Sequence, residues 1–269
     1  MYKSKMNSAL SKTTTIFILS IGMLFFSCKK INASKGTSSW HSIEISESFH
    51  SIELSLAGNL NYQAGEEKTM EIYCNDKIYE DLDIEIKNEI LQIKMKKGFT
   101  IKNGEEISIN ITAPDIHVFI NSGSGNFNAN TDPIDSFSSS NVTLSGSGNI
   151  FVDRLESYSN DAVLSGSGNL TINELIVTES DMTLSGSGKV NVAGSAMNNN
   201  TVLSGSGSIL AKNFITDISD INISGSGNLE IHVDSLLNVN ISGSGSVLYT
   251  GFPSINVTGS GSGSVTDNN

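Results

Sequence analysis

The sequence has few cysteines and few prolines. Its 269 residues include two cysteines and three prolines beside 25 glycines. Two cysteines allow at most one disulfide within the chain, so a fold held together by several disulfides is excluded. The low proline count also disfavours a proline-rich stalk, although glycine and serine alone would still permit a flexible linker.

Basic residues are scarce as well, above all in the second half of the chain. The net charge is −12, and residues 121–269 contain only Arg154, Lys189 and Lys212 against thirteen carboxylates. Nucleic-acid binding needs a basic patch that displaces the counterions of the phosphates. We therefore expect no nucleic-acid partner.

The first 28 residues have the features of a lipoprotein signal. Three lysines precede residues 16–26 (IFILSIGMLFF), an apolar run too short to span a bilayer stably. The run ends in Phe-Phe-Ser-Cys, which resembles the bacterial signal whose cysteine is diacylated after cleavage. We predict a signal peptide over 1–27 and membrane attachment through a lipid on Cys28. The alternative is an ordinary signal peptide or anchor with an incidental cysteine.

The residues that follow the signal are small, polar and basic. Residues 28–39 are predicted to be a tether between the membrane and the folded body. Lipidation of Cys28 would leave Cys74 as the remaining thiol. Cys74 lies in the alternating run 70–74 (MEIYC), so we interpret it as a small buried strand residue and not as a nucleophile.

The tetrapeptide Ser-Gly-Ser-Gly recurs through the second half of the chain. Its copies begin 18 to 23 residues apart, at Ser122, Ser145, Ser165, Ser185, Ser204, Ser224, Ser242 and Ser260. This period indicates a stacked repeat architecture. A true linker would have no apolar residues at fixed offsets, yet residues such as Leu144 and Ile150 flank each copy, so the tetrapeptide belongs to strands.

The alternation of side chains predicts which residues of the repeat point inward. Leu144, Gly146, Gly148 and Ile150 share one parity, and the serines between them share the other. Successive strand side chains point to opposite faces, so we expect columns of glycine inside, at a corner or a close approach, and columns of serine outside. Leucine-rich, calcium-binding nonapeptide and helical repeats do not fit this pattern.

A parallel β-helix with coils of about 20 residues is therefore predicted over 121–269. Residues 40–120 also alternate apolar with polar residues, as in Ile107-Ser-Ile-Asn-Ile111, but with no fixed period. This less regular β-rich part either begins the helix with longer coils or caps it. A cap would protect the open end from edge-to-edge association.

Several segments together resemble one known family. They are residues 49–54 (FHSIEL), 58–62 (GNLNY), 91–94 (LQIK) and 107–114, followed by the serial SGSG copies. This order resembles the head GIN domain family of putative autotransporter adhesins over about residues 40–269. The family is frequent among lipoproteins and secreted proteins of Bacteroidetes-type bacteria. The resemblance implies a right-handed parallel β-helix in the cell envelope, and it brings no catalytic residues.

The alternative from a different functional class is a β-helix enzyme that degrades polysaccharides. Such a site needs a base, cations for a uronate and often clustered carboxylates for calcium. The nearest candidates are the pairs Asp217 with Asp220 and Glu179 with Asp181, which we interpret as solvated turn residues. The four histidines show no metal-ligand spacing, and His232 is expected on the surface. We predict no catalytic, cofactor or metal residues.

A third possibility is that the outward serines bind a glycan, a mineral or ice through two hydroxyl columns. These columns comprise Ser145/Ser147, Ser165/Ser167, Ser185/Ser187, Ser204/Ser206, Ser224/Ser226 and Ser242/Ser244. The simpler interpretation is that serine is small and suits turns. Asp234-Ser235-Leu236 resembles a short O-glycosylation motif of Bacteroidetes envelope proteins.

We predict an adhesin or envelope-organising lipoprotein of the outer membrane that binds a glycan or an envelope protein. Lys29 and Lys30 follow Cys28 without the acidic residues that often accompany export to the surface in this group of bacteria. This favours the periplasmic face.

Overall fold

The computed structural model describes residues 29–31, 36–101, 105–131 and 137–269. The predicted signal peptide and Cys28 lie outside the described residues, as do residues 32–35 of the predicted tether. The two ends of that tether segment are paired backbone, because Lys29–Ile31 forms a strand and Ser38 begins another. Within the described ranges, no helix is long and apolar enough to cross a membrane.

The predicted parallel β-helix is confirmed. Strands account for 67% of the chain and helix for 2%, and the strands form a β-solenoid of about seven turns whose parallel bridges join residues about 20 apart. In such a solenoid the hydrogen bonds run from coil to coil, so each coil supplies the edge on which the next one is built.

The first part of the chain contains nine strands and one short helix. They are β1 (Lys29–Ile31), β2 (Ser38–Ile43), β3 (Ser51–Leu54), β4 (Asn59–Ala64), β5 (Thr69–Asn75), α1 (Asp76–Tyr79), β6 (Leu82–Lys87), β7 (Ile90–Met95), β8 (Phe99–Ile101) and β9 (Ser108–Ala113). The strands β3 and β4 pair in parallel with later coils, so the solenoid begins here, ahead of the SGSG copies.

The rest of the chain consists of strands, most of which are joined at the SGSG corners. They are β10 (Val118–Asn121), β11 (Asn126–Asn130), β12 (Phe137–Leu144), β13 (Asn149–Leu164), β14 (Asn169–Leu184), β15 (Lys189–Leu203), β16 (Ser208–Ile223), β17 (Asn228–Ile241), β18 (Ser246–Thr250), β19 (Ser254–Thr258) and β20 (Ser264–Asp267). We call β3, β4 and β10 to β20 the repeating coils.

A different arrangement closes the N-terminal end. The strands β5 and β9, β2 and β5, and β6 and β7 pair antiparallel. We call β2, β5, α1, β6, β7 and β9 the N-terminal cap. It joins the coils through β7, which pairs with β3, and β9, which pairs with β4. Asn75 begins α1 by accepting a hydrogen bond from the amide of Lys77 at 3.1 Å.

The interior of the coils is built from columns of aliphatic side chains in register. One column contains Ile150, Leu170, Val190, Ile209, Leu229 and Val247, all buried. Each member stacks on its equivalent in the next coil, which removes apolar surface from water on both sides. The alternation predicted from the sequence is therefore confirmed, since these residues point inward and the serines of each corner are exposed.

The glycines of the corners form two inner columns whose carbonyls lie close together. A Cβ atom on Gly186 would overlap the carbonyl oxygen of Gly166 in the preceding coil, and a Cβ atom on Gly166 would overlap that of Gly146. The same carbonyl of Gly166 accepts a hydrogen bond from the amide of Ser187 at 3.2 Å. Glycine is needed here because backbone approaches backbone, as predicted for a pinched inner wall.

Opposite the aliphatic columns, the interior also contains a polar seam. It consists of Ser140, Asn160, Ser180, Asn199 and Ser219, which are buried and follow one another in register. Asn160 donates to Ser140 at 2.7 Å, and Asn199 donates to Thr201 at 3.0 Å. The first bond joins neighbouring coils, whereas the second lies within β15. Asn199 also donates to Ser219 of the next coil at 3.4 Å, and Ser180 Oγ has no hydrogen-bond partner among the described residues.

Candidate functional site

A surface groove of about 490 Å³ lies across β4, β9, β11 and the beginning of β13. These strands are neighbours in the order β9, β4, β11 and β13, all parallel. Their outward side chains therefore line up in rows that cross the strands. We call it the amide groove, because asparagine and glutamine dominate its surface. Its outward side chains are those of Asn61, Gln63, Asn110, Thr112, Asn128, Asn130, Phe151 and Asp153.

The first row of the amide groove runs from Asn110 through Asn61 and Asn128 to Phe151. Asn61 Nδ2 donates to Asn110 Oδ1 at 3.1 Å, and Asn128 Nδ2 donates to Asn61 Oδ1 at 3.0 Å. Phe151 has no polar atom to continue the row, so Asn128 Oδ1 accepts nothing from the described residues. The row thus ends with a carbonyl acceptor directly beside an aromatic ring.

A second row lies beside the first and contains Thr112, Gln63 and Asn130, followed by Asp153. Asn130 Nδ2 donates to Gln63 Oε1 at 2.7 Å, and Asp153 Oδ1 accepts from Asn173 Nδ2 at 3.2 Å. These hydrogen bonds fix the planes of the amides. Each amide nitrogen has a second hydrogen, so donors remain for a ligand.

The floor beneath the groove is rigid and apolar. Tyr62 is buried, and its hydroxyl donates to the carbonyl of Ala113 at 2.9 Å. Burial raises the pKa of Tyr62 to about 12. Its ring packs against Phe119 with centroids 5.8 Å apart, and Phe119 meets Phe127 edge to face at 5.7 Å.

The electrostatics of the groove are simple. Among its lining residues Asp153 is the only carboxylate, and there is no lysine, arginine or histidine. The ring of Phe151 is 41% exposed. The groove therefore presents amide dipoles, one carboxylate and one aromatic face.

The predicted serine columns lie at the corner beside this face. Ser145, Ser147, Ser185 and Ser187 are exposed, and the amides of Ser145, Ser185 and Ser187 continue the hydrogen bonds between coils. Their hydroxyls make no side-chain hydrogen bond to the described residues. Ser122 differs, because its hydroxyl donates to Glu53 at 3.4 Å. The columns are thus open to solvent, with no aromatic or amide group among them.

The four carboxylates considered for catalysis lie within β14 and β16, so their interpretation as turn residues is wrong, and three of them accept hydrogen bonds from asparagines of the next coil. Glu179 accepts from Asn198 at 2.9 Å, and Asp181 accepts from Asn200 at 2.9 Å. Asp220 accepts from Asn238 at 2.7 Å, and Asp217 is exposed. These bonds cross from coil to coil and give the three carboxylates a role in holding neighbouring coils together.

The single arginine also stabilises the stack of coils. Arg154 donates to Glu174 at 2.6 Å and to Glu156 at 3.1 Å. Its hydrogen bond to Glu156, followed by the charges of both carboxylates, raises the pKa of the guanidinium above its ordinary value. Arg154 is therefore neutralised in place, as Glu174 sits one coil above it.

One hydrogen-bonded chain was not predicted from the sequence. His232 Nδ1 lies 2.9 Å from Thr250 Oγ1, and His232 Nε2 lies 3.0 Å from Asp234 Oδ1. A hydroxyl, an imidazole and a carboxylate in this order resemble a nucleophilic triad. Such chemistry also needs amide donors for an oxyanion, and the adjacent amide of Gly251 already donates to Asn269 at 2.9 Å. The arrangement stabilises the last coils. Ser235 of the predicted glycosylation motif is exposed beside it.

The interpretation of Cys74 as a buried strand residue is confirmed. Its thiol is fully buried in the cap, and burial followed by the charge of Asp76 raises its pKa to about 11. A thiol with such a pKa is a poor nucleophile. Across the described ranges, no group of three or more His, Cys, Asp or Glu side chains is placed to hold a metal ion.

The amide groove was missed in the sequence because its rows join strands that are distant in the chain. A signal was present, since asparagines alternate with apolar residues in 59–61 (NLN) and again in 126–130 (NFNAN). Equal offsets from the corners would have placed these asparagines in one row. The contribution of β9 had no such signal.

Comparisons with known proteins complete the description of this surface. The family model "Putative auto-transporter adhesin, head GIN domain" matches residues 48–253. A solved "putative lipid binding protein" from Parabacteroides distasonis has a TM-score of 0.78 at 22% identity, covering 90% of this chain and 100% of its own. No curated protein matches this chain in sequence.

Two solved structures described as putative adhesins have the same fold. One, from Parabacteroides distasonis, has a TM-score of 0.80 at 20% identity and covers 89% of this chain and 100% of its own. The other, from Parabacteroides merdae, has a TM-score of 0.71 at 21% identity and covers 87% of this chain and 98% of its own. At these identities the similarity concerns the fold alone.

Proposed function

Since the chain belongs to the family described as putative auto-transporter adhesins with a head GIN domain, we propose that it is a binding protein of the bacterial cell envelope, without catalytic activity. The resemblance found in the sequence is thereby confirmed. The observation that carries the proposal is the contrast between an open, preorganised groove of fixed amides and carboxylates engaged in bonds between coils. An adhesin uses the first feature, and an enzyme would need the second kind of group to be available.

The fold itself favours binding that is spread over an extended surface. Each coil adds one more outward side chain to every row, so weak contacts repeat along the solenoid and add up for a repeating ligand. The names of the structural neighbours, adhesin and lipid-binding protein, are consistent with a binding role.

The experiment that tests this proposal compares retention with turnover. The full chain, solubilised in detergent, is applied to columns carrying a panel of polysaccharides, and the eluates are assayed for new reducing or unsaturated ends. We expect retention on at least one column and no new ends. Release of ends that is lost on replacing any of Glu179, Asp181, Asp217 or Asp220 by its amide would contradict the proposal and favour the enzyme.

We further propose that a lipid on Cys28 holds the protein in the outer membrane. The signal-like sequence before Cys28 supports this, together with the strand β1, which begins at the next residue and pairs with β8. A lipid at that position would hold the body directly at the bilayer surface. We place the body on the periplasmic face.

Replacement of the cysteines separates anchoring from folding. Cys28→Ser is expected to release the protein from the membrane fraction and to abolish labelling by a radioactive fatty acid. Cys74→Ala, the matched control, is expected to leave both unchanged, because that thiol is buried in the cap. Equal labelling of the Cys28→Ser variant and the wild type would contradict lipidation. Protease treatment of intact cells reports the face, since a periplasmic body stays uncut.

A further inference from the structure

We propose that the amide groove binds a neutral glycan, with Phe151 as the platform on which one sugar ring stacks. The inference deepens the proposed binding function and rests on it. It assigns the ligand to a face built by β4, β9, β11 and β13, next to the serine columns and distinct from them.

The exposed ring of Phe151 is the first reason. A pyranose has one face of C–H groups and a rim of hydroxyls, so it packs its apolar face on an aromatic ring and keeps its hydroxyls at the edge. Phe151 lies in a row of polar residues on an outward strand position, where burial in the core does not explain it. At 41% exposure, part of the ring is open to solvent and to a ligand.

The polar atoms around the ring match the rim of a sugar. Each hydroxyl of a sugar both donates and accepts, so it needs an acceptor and a donor side by side. Asn128 provides an Oδ1 that accepts nothing from the described residues, and Asp153 provides a carboxylate in the adjacent row. The remaining hydrogens of the amide nitrogens of Asn61 and Asn130 are the donors. The hydrogen bonds within the rows hold these groups in place before the ligand arrives, which lowers the entropy lost on binding.

The charge of the groove decides between neutral and acidic glycans. Its lining holds one carboxylate and no cation, and the second half of the chain is strongly acidic. The negative charge of a uronate or a sulfate would be repelled there with no cation to compensate, whereas a neutral sugar meets no such repulsion. Electrostatics thus favour a neutral glycan.

The spacing of successive residues along one row suits a chain of sugars. Neighbouring strands lie about 4.8 Å apart, which is close to the length that one pyranose adds to an extended polysaccharide. The groove crosses four strands, so it has room for several successive rings with Phe151 under one of them. Beyond it, Thr171 follows Phe151 in the next coil and continues the row with a hydroxyl.

The test is affinity electrophoresis of the full chain in detergent-containing native gels that hold laminarin, xylan or mannan, with polygalacturonate as the acidic counterpart. We expect retardation by at least one of the three neutral polysaccharides and none by polygalacturonate. Phe151→Ala is expected to raise the dissociation constant obtained from the retardation at least about tenfold, as is typical of the loss of an aromatic anchor. Phe151→Trp is expected to retain it, because a larger ring preserves the platform.

The matched control is Tyr158→Ala, which removes another aromatic side chain, 61% exposed, from the same strand outside the groove. It is expected to change the retardation less than about twofold. Thermal melts of each variant check folding, and Asn128→Ala gives an independent variant that leaves the ring intact. Neutral binding that is equally strong in Phe151→Ala and wild type would overturn the groove as the site while leaving the binding function in place. Retardation by polygalacturonate alone would show that the ligand is not a neutral glycan.

If no polysaccharide retards the protein but an envelope protein retains it, the ligand is not a glycan. Release of new sugar ends would instead contradict the proposed function itself.

Discussion

The N-terminal cap and the repeating coils solve the same packing problem in opposite ways. In the cap, β2, β5 and β6 are paired antiparallel, so residues such as Ile72 and Ile84 have no equivalent one turn away and pair instead with Ile109 and Ile93. In the coils, each residue stacks on its own equivalent one turn away, as Leu144 does on Leu164 and Leu184. The cap therefore joins positions of different kinds, whereas a side chain at a coil position must pack on the side chains at the same position in the coils above and below it.

Glycine shows the difference most clearly. In the coils Gly186 is required by the carbonyl of Gly166, which occupies the place of a side chain. In the turn after β7, Gly98 has φ of +89° and nothing within 4 Å of an added Cβ atom. The first position requires glycine because a neighbouring backbone lies too close for a side chain, and the second favours glycine only because of its own backbone angles. The same residue type thus has different causes in the two regions.

The largest effect is expected in the coils. Gly186→Ala places a Cβ atom against the carbonyl oxygen of Gly166, so two coils must separate or bend. We expect a loss of about 3 kcal/mol or more in the free energy of unfolding, measured by urea titration. Ser187→Ala, on the outward side of the same corner, is the control and is expected to change stability by less than about 0.5 kcal/mol. Equal stabilities of the two variants would show that the assignment of inner and outer columns is wrong.

A smaller loss is expected at the glycine next to the cap. Gly98→Ala forces an alanine into the left-handed region without any steric contact, which costs about 1 kcal/mol. Gly98→Asn should recover part of this loss, because asparagine tolerates that region better. A loss as large as that of Gly186→Ala, in the same urea titration, would remove the distinction between the two glycines.

The smallest effect comes from like charges stacked in the coils. Asp161 lies in register with Asp181, and partial desolvation followed by the charge of Asp181 raises the pKa of Asp161, while Asn141 opposes the shift by donating to it. A raised pKa in the folded state means that stability is lost as the pH rises through the unfolded-state value of about 3.9 and on through the folded value. Asp161→Asn should therefore stabilise the protein at pH 7 by less than about 1 kcal/mol, since the site is exposed to solvent.

The pH dependence distinguishes this repulsion from a change in packing. Below the unfolded-state pKa Asp161 is protonated in both the folded and the unfolded state, so the gain from Asp161→Asn should vanish near the acid end of the titration. Urea titrations of wild type and variant at pH 7 and at a pH below the unfolded-state pKa compare the two free energies of unfolding. A gain of the same size at acid and neutral pH would contradict the electrostatic origin.

The sequence permitted prediction of the coils far better than of the cap. The period, the inner glycines and the outer serines could be predicted because each coil repeats the same physical constraint, so that eight copies report on one geometry. The cap gave alternating strands but not their partners, because β5 pairs antiparallel with both β2 and β9 for reasons that no repeat encodes. The amide groove straddles the two regions, because one of its four strands, β9, belongs to the cap and the other three belong to the coils.

The interactions that cross from coil to coil were equally hard to foresee. Arg154 meets Glu174, and Asn198 meets Glu179, only after the register of the stack is known. Register in turn follows from the number of residues between successive corners, which varies along the chain. Single side chains of this kind are predictable only from the three-dimensional stack.

We infer that the coils are interchangeable units and that the cap is not. Deletion of 164–183 removes one period of 20 residues and joins Val163 to Leu184, which already occupies the position one coil above Leu164. Thermal unfolding followed by circular dichroism is measured for this variant and for a variant that lacks 69–88 in the cap. We predict that the first melts cooperatively at a temperature close to that of the wild type and that the second does not fold. A coil deletion that unfolds the protein as completely as the cap deletion would contradict the account.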